Sequence, residues 1–411
     1  MKRLIREKRK APKKYYKRKQ NFPFFLTKFF KISIIIIIII ICFNIAFVFI
    51  YYKNSLVTSE ELIKESKNYK NFDEIKNKVT DIFTDKILKE ISIIKHIYSK
   101  NIESDKRNKK LIHITSSIDN IQNYNYILYV SMHSLLTNCN NNETFIVYHI
   151  LCTPDFNETS ITIFKTLFNN FSHNIEMIFY NMGNHFLKNK SLYLSQATFY
   201  RLLSPLFIDS DRIIYLDGDT LIFSDLYEMY NLDFNDNYVL GFYDILSDGV
   251  DYLGLKSNIY INAGVLLFNL KKMKEDNKTF EIINFINSNP ELRKGDQTII
   301  NYLLHPKIGR LPSKFGIWNF EDKSDIIVYL NKIRTKVPID ELEEALKNPV
   351  IMHIVLCLSK PWSPDTSYIS QYTNCRQRNS CSCKKYFDLW HSFANKTEYY
   401  EEIKNFTIRK L

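Results

Sequence analysis

Beyond residue 31 the chain has no net charge, although the whole sequence carries a formal net charge of +12. The first 31 residues hold thirteen lysines and arginines against Glu7 alone, and the other 380 residues hold 43 basic and 43 acidic residues. A nucleic-acid-binding domain shows a basic patch or stripe, and a balanced main domain argues against such a partner. The basic tail, residues 1–31, is better suited to the anionic lipid headgroups of a cytoplasmic leaflet.

Residues 32–52 contain no charged side chain, and eight consecutive isoleucines, Ile34–Ile41, lie within them. A helix of about 20 apolar residues crosses the hydrocarbon core of a bilayer, and flanking basic residues stay on the cytoplasmic side. The run also lacks a small-residue cleavage site, which argues against a cleaved signal peptide. The sequence therefore predicts a single-pass transmembrane signal anchor at residues 32–52, with the rest of the chain across the membrane.

Residues 53–110 contain neither glycine nor proline. Apolar side chains such as Ile75, Val79 and Ile82 recur there at steps of three and four residues, which is the helical period. This pattern predicts a helical stem that spaces a domain from the membrane. A disordered spacer is the alternative interpretation.

From Leu111 onward, short apolar runs alternate with longer amphipathic stretches. The runs cover residues 112–114, 144–152, 175–180, 212–216, 239–243 and 264–269. Such alternation is typical of βαβ units in a largely parallel sheet. We predict one α/β domain over residues 111–365, followed by a helical, cysteine-containing extension over residues 366–411.

The chain has only seven cysteines, and no two of them are separated by two residues. That spacing is usual in structural zinc sites, so its absence argues against zinc. In an oxidising compartment, Cys375 is the nearest disulfide candidate for Cys381 or Cys383. Seven Asn-x-Ser/Thr sequons agree with a luminal domain without establishing it, at Asn142, Asn157, Asn170, Asn189, Asn277, Asn395 and Asn405.

Two carboxylates, Asp217 and Asp219, stand two residues apart at the end of an apolar stretch. Alternation along a strand puts residues i and i+2 on one face, so both side chains can reach a single divalent cation. In open α/β sheets, ligands bind beyond the carboxyl ends of the strands, where this pair would lie. A second Asp-x-Asp, at Asp209 and Asp211, precedes the stretch and is interpreted as a solvated turn. The sequence predicts a metal site at the first pair.

Further motifs surround the aspartate pair in a fixed order. They are Ser195-Gln-Ala-Thr-Phe-Tyr-Arg-Leu-Leu203, Gly241-Phe-Tyr-Asp244, Tyr260-Ile-Asn-Ala-Gly-Val-Leu-Leu-Phe-Asn-Leu-Lys-Lys272, Gly295-Asp-Gln-Thr-Ile-Ile-Asn301, and His353 followed by Lys360-Pro-Trp362. In this order and spacing the chain resembles glycosyltransferase family 8, the retaining nucleotide-sugar enzymes. The resemblance runs from about Leu111 to about Pro364 and leaves out the anchor and the stem.

The resemblance implies a Rossmann-like nucleotide-binding sheet of the GT-A type, a UDP-sugar donor and a manganese-type divalent cation. It implies that Asp217, Asp219 and His353 ligate the metal and that Lys360 contacts a phosphate oxygen. It places Ser116 and Asp119 at the uracil and ribose. The remaining implied residues line the donor-sugar pocket, with the last two as catalytic residues: Arg201, Asp244, Asn262, Asp296 and Gln297.

Each of these residues also has a structural interpretation. Asn262 can satisfy backbone at the start of a strand, and Asp296 can cap the helix that follows it. Asp244 can belong to a strand-end turn, and Arg201 can pair with a nearby carboxylate. Taken apart from the family order, His353 is more often a structural histidine than a ligand.

The chain departs from the family pattern at two places. The family usually has His-x-x-Gly-x-x-Lys-Pro, whereas the segment from His353 to Lys360 is one residue longer and has no glycine. Cys357 stands near the place where glycine lets the backbone approach the diphosphate. The aromatic residue expected soon after Asp119 is displaced, with Tyr124 and Tyr126 the nearest candidates.

The sequence thus predicts a membrane-anchored, metal-dependent, retaining transferase that moves a hexose-type sugar from a UDP-sugar to a glycan or glycoprotein acceptor. Its predicted location is the Golgi or another secretory-pathway membrane. Retention can proceed by double displacement through a carboxylate or by attack on the face that UDP leaves. One alternative is a catalytically inactive relative that binds glycans or acts as a scaffold; a glycosidase is the other.

The charge asymmetry about the isoleucine run generates a prediction on topology. Protease added outside sealed microsomes should remove only the basic tail, residues 1–31, because the membrane shields everything beyond the anchor. Digestion of the domain beyond Lys53 under the same conditions would overturn this orientation.

Overall fold

A computed structural model describes residues 80–81, 84–120, 122–139, 143–184, 195–244, 259–289, 295–320, 322–333, 337–355, 360–362 and 382–408. The predicted tail, the anchor and most of the stem lie outside these residues. Among the helices of the described ranges, none has both the length and the apolar composition that a bilayer crossing requires.

The strands form two sheets. They are β1 Ser92–Ile97, β2 Lys110–Ile118, β3 Thr144–Cys152, β4 Ile175–Asn181, β5 Arg212–Leu216, β6 Thr220–Ile222, β7 Val239–Tyr243, β8 Ile261–Asn269, β9 Ile308–Arg310, β10 Ile317–Trp318 and β11 Ile351–His353. The large sheet has the order β1-β4-β3-β2-β5-β8-β7-β9, and the small one has the order β10-β11-β6.

The helices follow the strands along the chain. They are α1 Ile102–Asn108, α2 Gln122–Asn138, α3 Glu158–Phe171, α4 Ala197–Tyr200, α5 Ser204–Phe207, α6 Tyr227–Tyr230, α7 Leu270–Glu275, α8 Lys278–Ser288, α9 Asp296–Leu303, α10 Lys323–Lys332, α11 Ile339–Lys347, α12 Ser382–Ala394 and α13 Tyr400–Ile408. Residues 84–90 are also helical.

The predicted βαβ units are confirmed in the run β2-α2-β3-α3-β4, whose three strands pair in parallel. All nine residues of β3 are buried, as expected for a strand covered on both faces. Asn157 caps α3 by accepting a hydrogen bond from the Ser160 backbone N–H at 3.0 Å. The predicted apolar runs correspond to strands, and three of them, β3, β5 and β7, match to the residue.

The sheet is mixed, which corrects the expectation of a largely parallel sheet. Strand β5 pairs in parallel with β2 but antiparallel with β8, and β7 also pairs antiparallel with β8. Apolar runs identify strands but carry no information on strand direction, so the pattern could not reveal this change.

The sheet also starts earlier than predicted. Strand β1 lies within the predicted stem, yet it pairs antiparallel with β4 at the edge of the large sheet. The Glu176 side chain on β4 is 4% exposed; it is hydrogen-bonded to His96 and forms an ion pair with Lys106 at 2.5 Å. The boundary at residue 110 is therefore wrong, because residues 92–108 supply a strand and the partners of a buried carboxylate to the domain.

The C-terminal extension is helical, as predicted, within its described residues. Helices α12 and α13 pack on α2, and the rings of Tyr399 and Tyr129 meet edge to face with centroids 5.1 Å apart. Cys139 and Cys152 are buried free thiols. The proposed partners Cys375 and Cys381, and the side chain of Cys383, lie outside the described part of the chain.

The edge position of β1 generates a prediction on stability. A chain that begins at Leu111 should unfold at a lower temperature than one that begins at Thr80, and it should aggregate, because the edge of β4 becomes unpaired. Circular dichroism on heating and size-exclusion chromatography measure both effects. Equal unfolding temperatures would mean that residues 92–108 do not stabilise the domain and belong to the stem, as the sequence predicted.

Candidate active site

Strand β5 delivers the aspartate pair to the carboxyl end of the parallel strands. Asp217 follows its last residue, and the Asp217 backbone N–H donates to the carbonyl of Gly264 on β8 at 2.8 Å. The chain then returns as β6 in the small sheet, where Thr220 is the register partner of His353 on β11. The antiparallel pairing of β6 with β11 therefore brings together residues more than 130 positions apart.

The three predicted metal ligands form one cluster. Nε2 of His353 lies 2.9 Å from Oδ1 of Asp219 and 3.9 Å from Oδ2 of Asp217. One ligand atom from each residue falls within 4.8 Å of the others. Gly264 makes room for the imidazole, because a Cβ at that position would lie 2.0 Å from Cε1 of His353.

Lys360 completes the surroundings of Asp219. Its Nζ lies 2.9 Å from Oδ2 of Asp219 and also donates to the carbonyl of Ile354. Burial alone would raise the pKa of the Asp219 carboxyl, but the charges of His353 and Lys360 outweigh burial and lower it. Asp219 is therefore ionised, and its oxygens can accept hydrogen bonds or bind a cation.

The Arg201 guanidinium bridges the carboxylates of Asp217 and Asp296. One of its terminal nitrogens lies 3.1 Å from Oδ1 of Asp217, and its Nε lies 3.1 Å from Oδ2 of Asp296. Another terminal nitrogen donates to the carbonyl of Ala263 at 2.6 Å. Burial would lower the pKa of this guanidinium, but Asp296, Tyr215 and Asp217 raise it overall. Arg201 is therefore a permanent cation beside the two carboxylates.

Asp296 is the first residue of α9, and its carboxyl lies almost wholly out of contact with solvent. Burial raises its pKa to about 6, against the opposing effect of Arg201. The predicted alternative of a simple helix cap does not account for the ion pair with Arg201. The residue is thus part of the same charge network as the aspartate pair.

A hydrogen-bonded amide network lies beside this carboxylate. Oε1 of Gln297 accepts from the Ala263 backbone N–H at 3.1 Å, and Nε2 donates to Asp244 at 2.8 Å. Asn262 donates to Asp244 and to Gln297, each at 3.2 Å. Oδ1 of Asn262 accepts from the Gly264 backbone N–H at 2.8 Å. The network fixes both amide side chains, and it also satisfies backbone, as the structural interpretation of Asn262 expected.

These groups surround a cavity of about 460 Å³. Eight of the predicted site residues line it: Asp119, Arg201, Asp217, Asp219, Asn262, Asp296, Gln297 and Lys360. Asp244 and His353 contact lining residues from behind. The Asp209 and Asp211 pair is exposed at the other end of β5, as the interpretation of a solvated turn requires.

The placement of Ser116 at the nucleotide is wrong. Its side chain is fully buried, and its Oγ contacts the Tyr148 hydroxyl and donates to the carbonyl of Leu216, both at 2.7 Å. Side chains alternate along β2, so the next residue, Ser117, faces the cavity. Which of the two serines faces the cavity depends on the register at the end of β2, and the sequence motif does not contain that information.

Sequence reasoning also gave no role to Tyr215 and Trp362, which line the cavity. The Tyr215 hydroxyl donates to Oδ1 of Asp217 at 2.8 Å, and its ring lies 3.6 Å from the Arg201 guanidinium carbon. Tyr215 precedes Asp217 by two residues, so strand alternation could have found it. Of the two displaced aromatic candidates, Tyr124 lines the cavity and Tyr126 is buried in the core.

The sequence profile of glycosyl transferase family 8 matches residues 113–366. A putative glycosyltransferase of Haemophilus influenzae is 32% identical over 155 residues, which are 36% of this chain and 46% of the relative. Glycosyltransferase GlyE of Streptococcus pneumoniae is 28% identical over 178 residues, which are 43% and 39% of the two chains. The matches span less than half the length of these two relatives.

Solved structures have the same fold at low sequence identity. The galactosyltransferase LgtC, in complex with donor and acceptor sugar analogues, superposes with a TM-score of 0.52 at 21% identity, covering 71% of this chain and all of LgtC. The bifunctional glycosyltransferase WbbM gives a TM-score of 0.54 at 18% identity, covering 72% and 52% of the two chains. Since the family profile spans more than half of the 411 residues, the chain belongs to glycosyltransferase family 8 and is a glycosyltransferase.

Proposed function

We propose that this enzyme transfers a hexose-type sugar from a UDP-sugar to a glycan or glycoprotein acceptor, with retention of configuration and with Mn²⁺ or a similar divalent cation. The observation that carries the proposal is the cluster of Asp217, Asp219 and His353. Both aspartates line the cavity, and His353 contacts Asp219 from behind. Lys360 also lines the cavity and pairs with Asp219. The volume of the cavity, about 460 Å³, falls in the range of small-molecule sites.

The donor set fits the proposed cation. Two carboxylates and one imidazole suit manganese better than calcium, which prefers oxygen ligands alone. Gly264 provides the space that His353 needs to face the carboxylates. A cation bound there would stabilise the negative charge that develops on UDP as the glycosidic bond breaks.

The protein's own cation adds to this stabilisation. Lys360 is one-third exposed and pairs with Asp219, and its flexible stem can turn the ammonium toward a phosphate oxygen. Tyr124 lines the cavity with 56% of its surface exposed. Its ring is available to stack on the uracil, with Asp119 and Ser117 beside the ribose.

A second set of lining residues would orient the transferred sugar. Each is already bonded to another member of the set or to backbone, and the set comprises Arg201, Asn262, Asp296 and Gln297. Groups preorganised in this way need no rearrangement as charge develops in the transition state. The ion pair of Asp296 with Arg201 favours a role in positioning over attack on the sugar, so we propose that the acceptor attacks the face that UDP leaves.

The membrane part of the proposal depends on the sequence alone. The uncharged run at residues 32–52 and the basic tail before it support a single-pass anchor. We place the catalytic domain in the lumen of the Golgi or another secretory-pathway compartment, where glycan and glycoprotein acceptors are found.

The first test concerns the aspartate pair. Asp217→Asn and Asp219→Asn should each lower turnover at least about a hundredfold, because each removes a charge from the metal shell while keeping the side-chain volume. Rates of UDP release with Mn²⁺ measure the effect, and thermal unfolding checks the fold. The matched controls Asp209→Asn and Asp211→Asn, on the exposed turn, should react like the parent. Equal losses in the control pair would mean that the wrong carboxylates were chosen.

The second test separates an active transferase from an inactive, glycan-binding relative. A panel of UDP-sugars with Mn²⁺ should identify one donor that is turned over, and EDTA should stop the reaction. The anomeric coupling constant of the product should match that of the donor. Binding of UDP without turnover of any donor would favour the inactive relative, and a product with inverted configuration would exclude retention.

A further inference from the structure

The segment Lys360–Trp362 carries the lysine that reaches Asp219. The connection from His353 to Lys360 is one residue longer than the family pattern and has no glycine. The family spacing therefore does not by itself determine the position of Lys360 beside Asp217, Asp219 and His353. Contacts made by the described residues can supply that constraint.

Helix α12 of the C-terminal extension supplies two such contacts. Nε2 of His391 lies 3.1 Å from the carbonyl oxygen of Pro361, the residue next to Lys360. A carbonyl only accepts, so this nitrogen carries the proton and donates. The ring of Trp390 packs on the ring of Trp362, with centroids 5.3 Å apart. The helix thus touches both residues that follow the lysine.

Helix α12 is itself held by the core. Trp390 is 1% exposed, and the Tyr386 hydroxyl donates to the carbonyl of Phe320. Two residues after His391, the ring of Phe393 meets Phe223 edge to face, with centroids 5.4 Å apart. The helix therefore connects the buried core to Pro361 by one hydrogen bond and to Trp362 by one ring contact.

The state of His391 suits a donor of this kind. Burial lowers its pKa, although the bond to the Pro361 carbonyl opposes the shift. The imidazole is therefore neutral near pH 7 and adds no positive charge beside Lys360. Its contribution is one N–H group that donates to the Pro361 carbonyl oxygen.

We propose that α12 is a positioning element for the phosphate-binding lysine, with His391 and Trp390 fixing Pro361 and Trp362 so that Lys360 stays beside the metal cluster. This inference rests on the proposed function, since it assigns UDP phosphate to Lys360. It extends the binding site to the C-terminal extension, which lies outside the family match at residues 113–366.

The test is calorimetric titration of the full-length protein with Mn²⁺, and then with UDP at saturating Mn²⁺. His391→Ala should weaken UDP binding about three- to tenfold, the usual effect of one lost hydrogen bond, and should leave Mn²⁺ affinity within about twofold. His391→Gln keeps an N–H donor at a similar reach and should restore UDP binding. Ser392→Ala, whose hydroxyl donates to the carbonyl of Leu389 within α12, is the matched control and should bind like the parent.

A double-mutant cycle separates positioning from a general structural role. In the Lys360→Ala background, His391→Ala should cause no further loss of UDP affinity, because the group that it positions is gone. An equal further loss would overturn the inference, and so would parental UDP affinity in His391→Ala. Equal weakening of Mn²⁺ and UDP would also overturn it, since the whole site would then have been disturbed.

Three further outcomes decide between the proposals. If His391→Ala does not fold, Trp390→Phe keeps a ring in the core and should weaken UDP without weakening Mn²⁺; parental UDP binding in that variant would contradict the inference. If the parent binds Mn²⁺ but no UDP, the proposed function fails and this inference fails with it. A loss in Lys360→Ala with none in His391→Ala would leave the proposed function standing and remove only the role of α12.

Discussion

The site depends on the balance of charge among three carboxylates in one cavity. Asp217, Asp219 and Asp296 would repel one another in a region of low dielectric constant, and each must have a partner to stay ionised there. His353 and Lys360 flank Asp219, while Arg201 bridges Asp217 and Asp296. The pKa values follow this division: that of Asp219 is lowered, whereas burial raises that of Asp296 to about 6. This division agrees with the proposed cation at Asp217 and Asp219 and with the proposed donor sugar beside Asp296.

The change of strand direction at β5 makes this balance possible. On one side of β5, parallel strands end at the cavity; on the other, antiparallel β8 presents Asn262 and Gly264 to the same point. The short β6 then turns back into the small sheet, where β11 carries His353. Strand β8 and the His353 side chain meet at Gly264, because only a residue without a side chain leaves room for the imidazole there.

The parts that sequence reasoning found were local in the chain. Strand β3 was evident because seven of its nine residues are apolar and form a strand buried on both faces, and the aspartate pair was evident from its place after β5. The parts that it missed depend on distant residues. Strand β1 joins the sheet through β4, about 80 residues later, and the contact of His391 with Pro361 crosses from the extension into the domain. The choice between Ser116 and Ser117 required the register at the end of β2, which no short motif contains.

The proposed cation site of Asp217, Asp219 and His353 can be observed by anomalous diffraction at the manganese absorption edge, from crystals grown with Mn²⁺ and UDP. We expect a single strong peak beside both carboxylates and Nε2 of His353, with the diphosphate of UDP next to it. A peak away from these three residues, or a diphosphate bound in the cavity with no ion beside it, would show that these residues do not hold the cation.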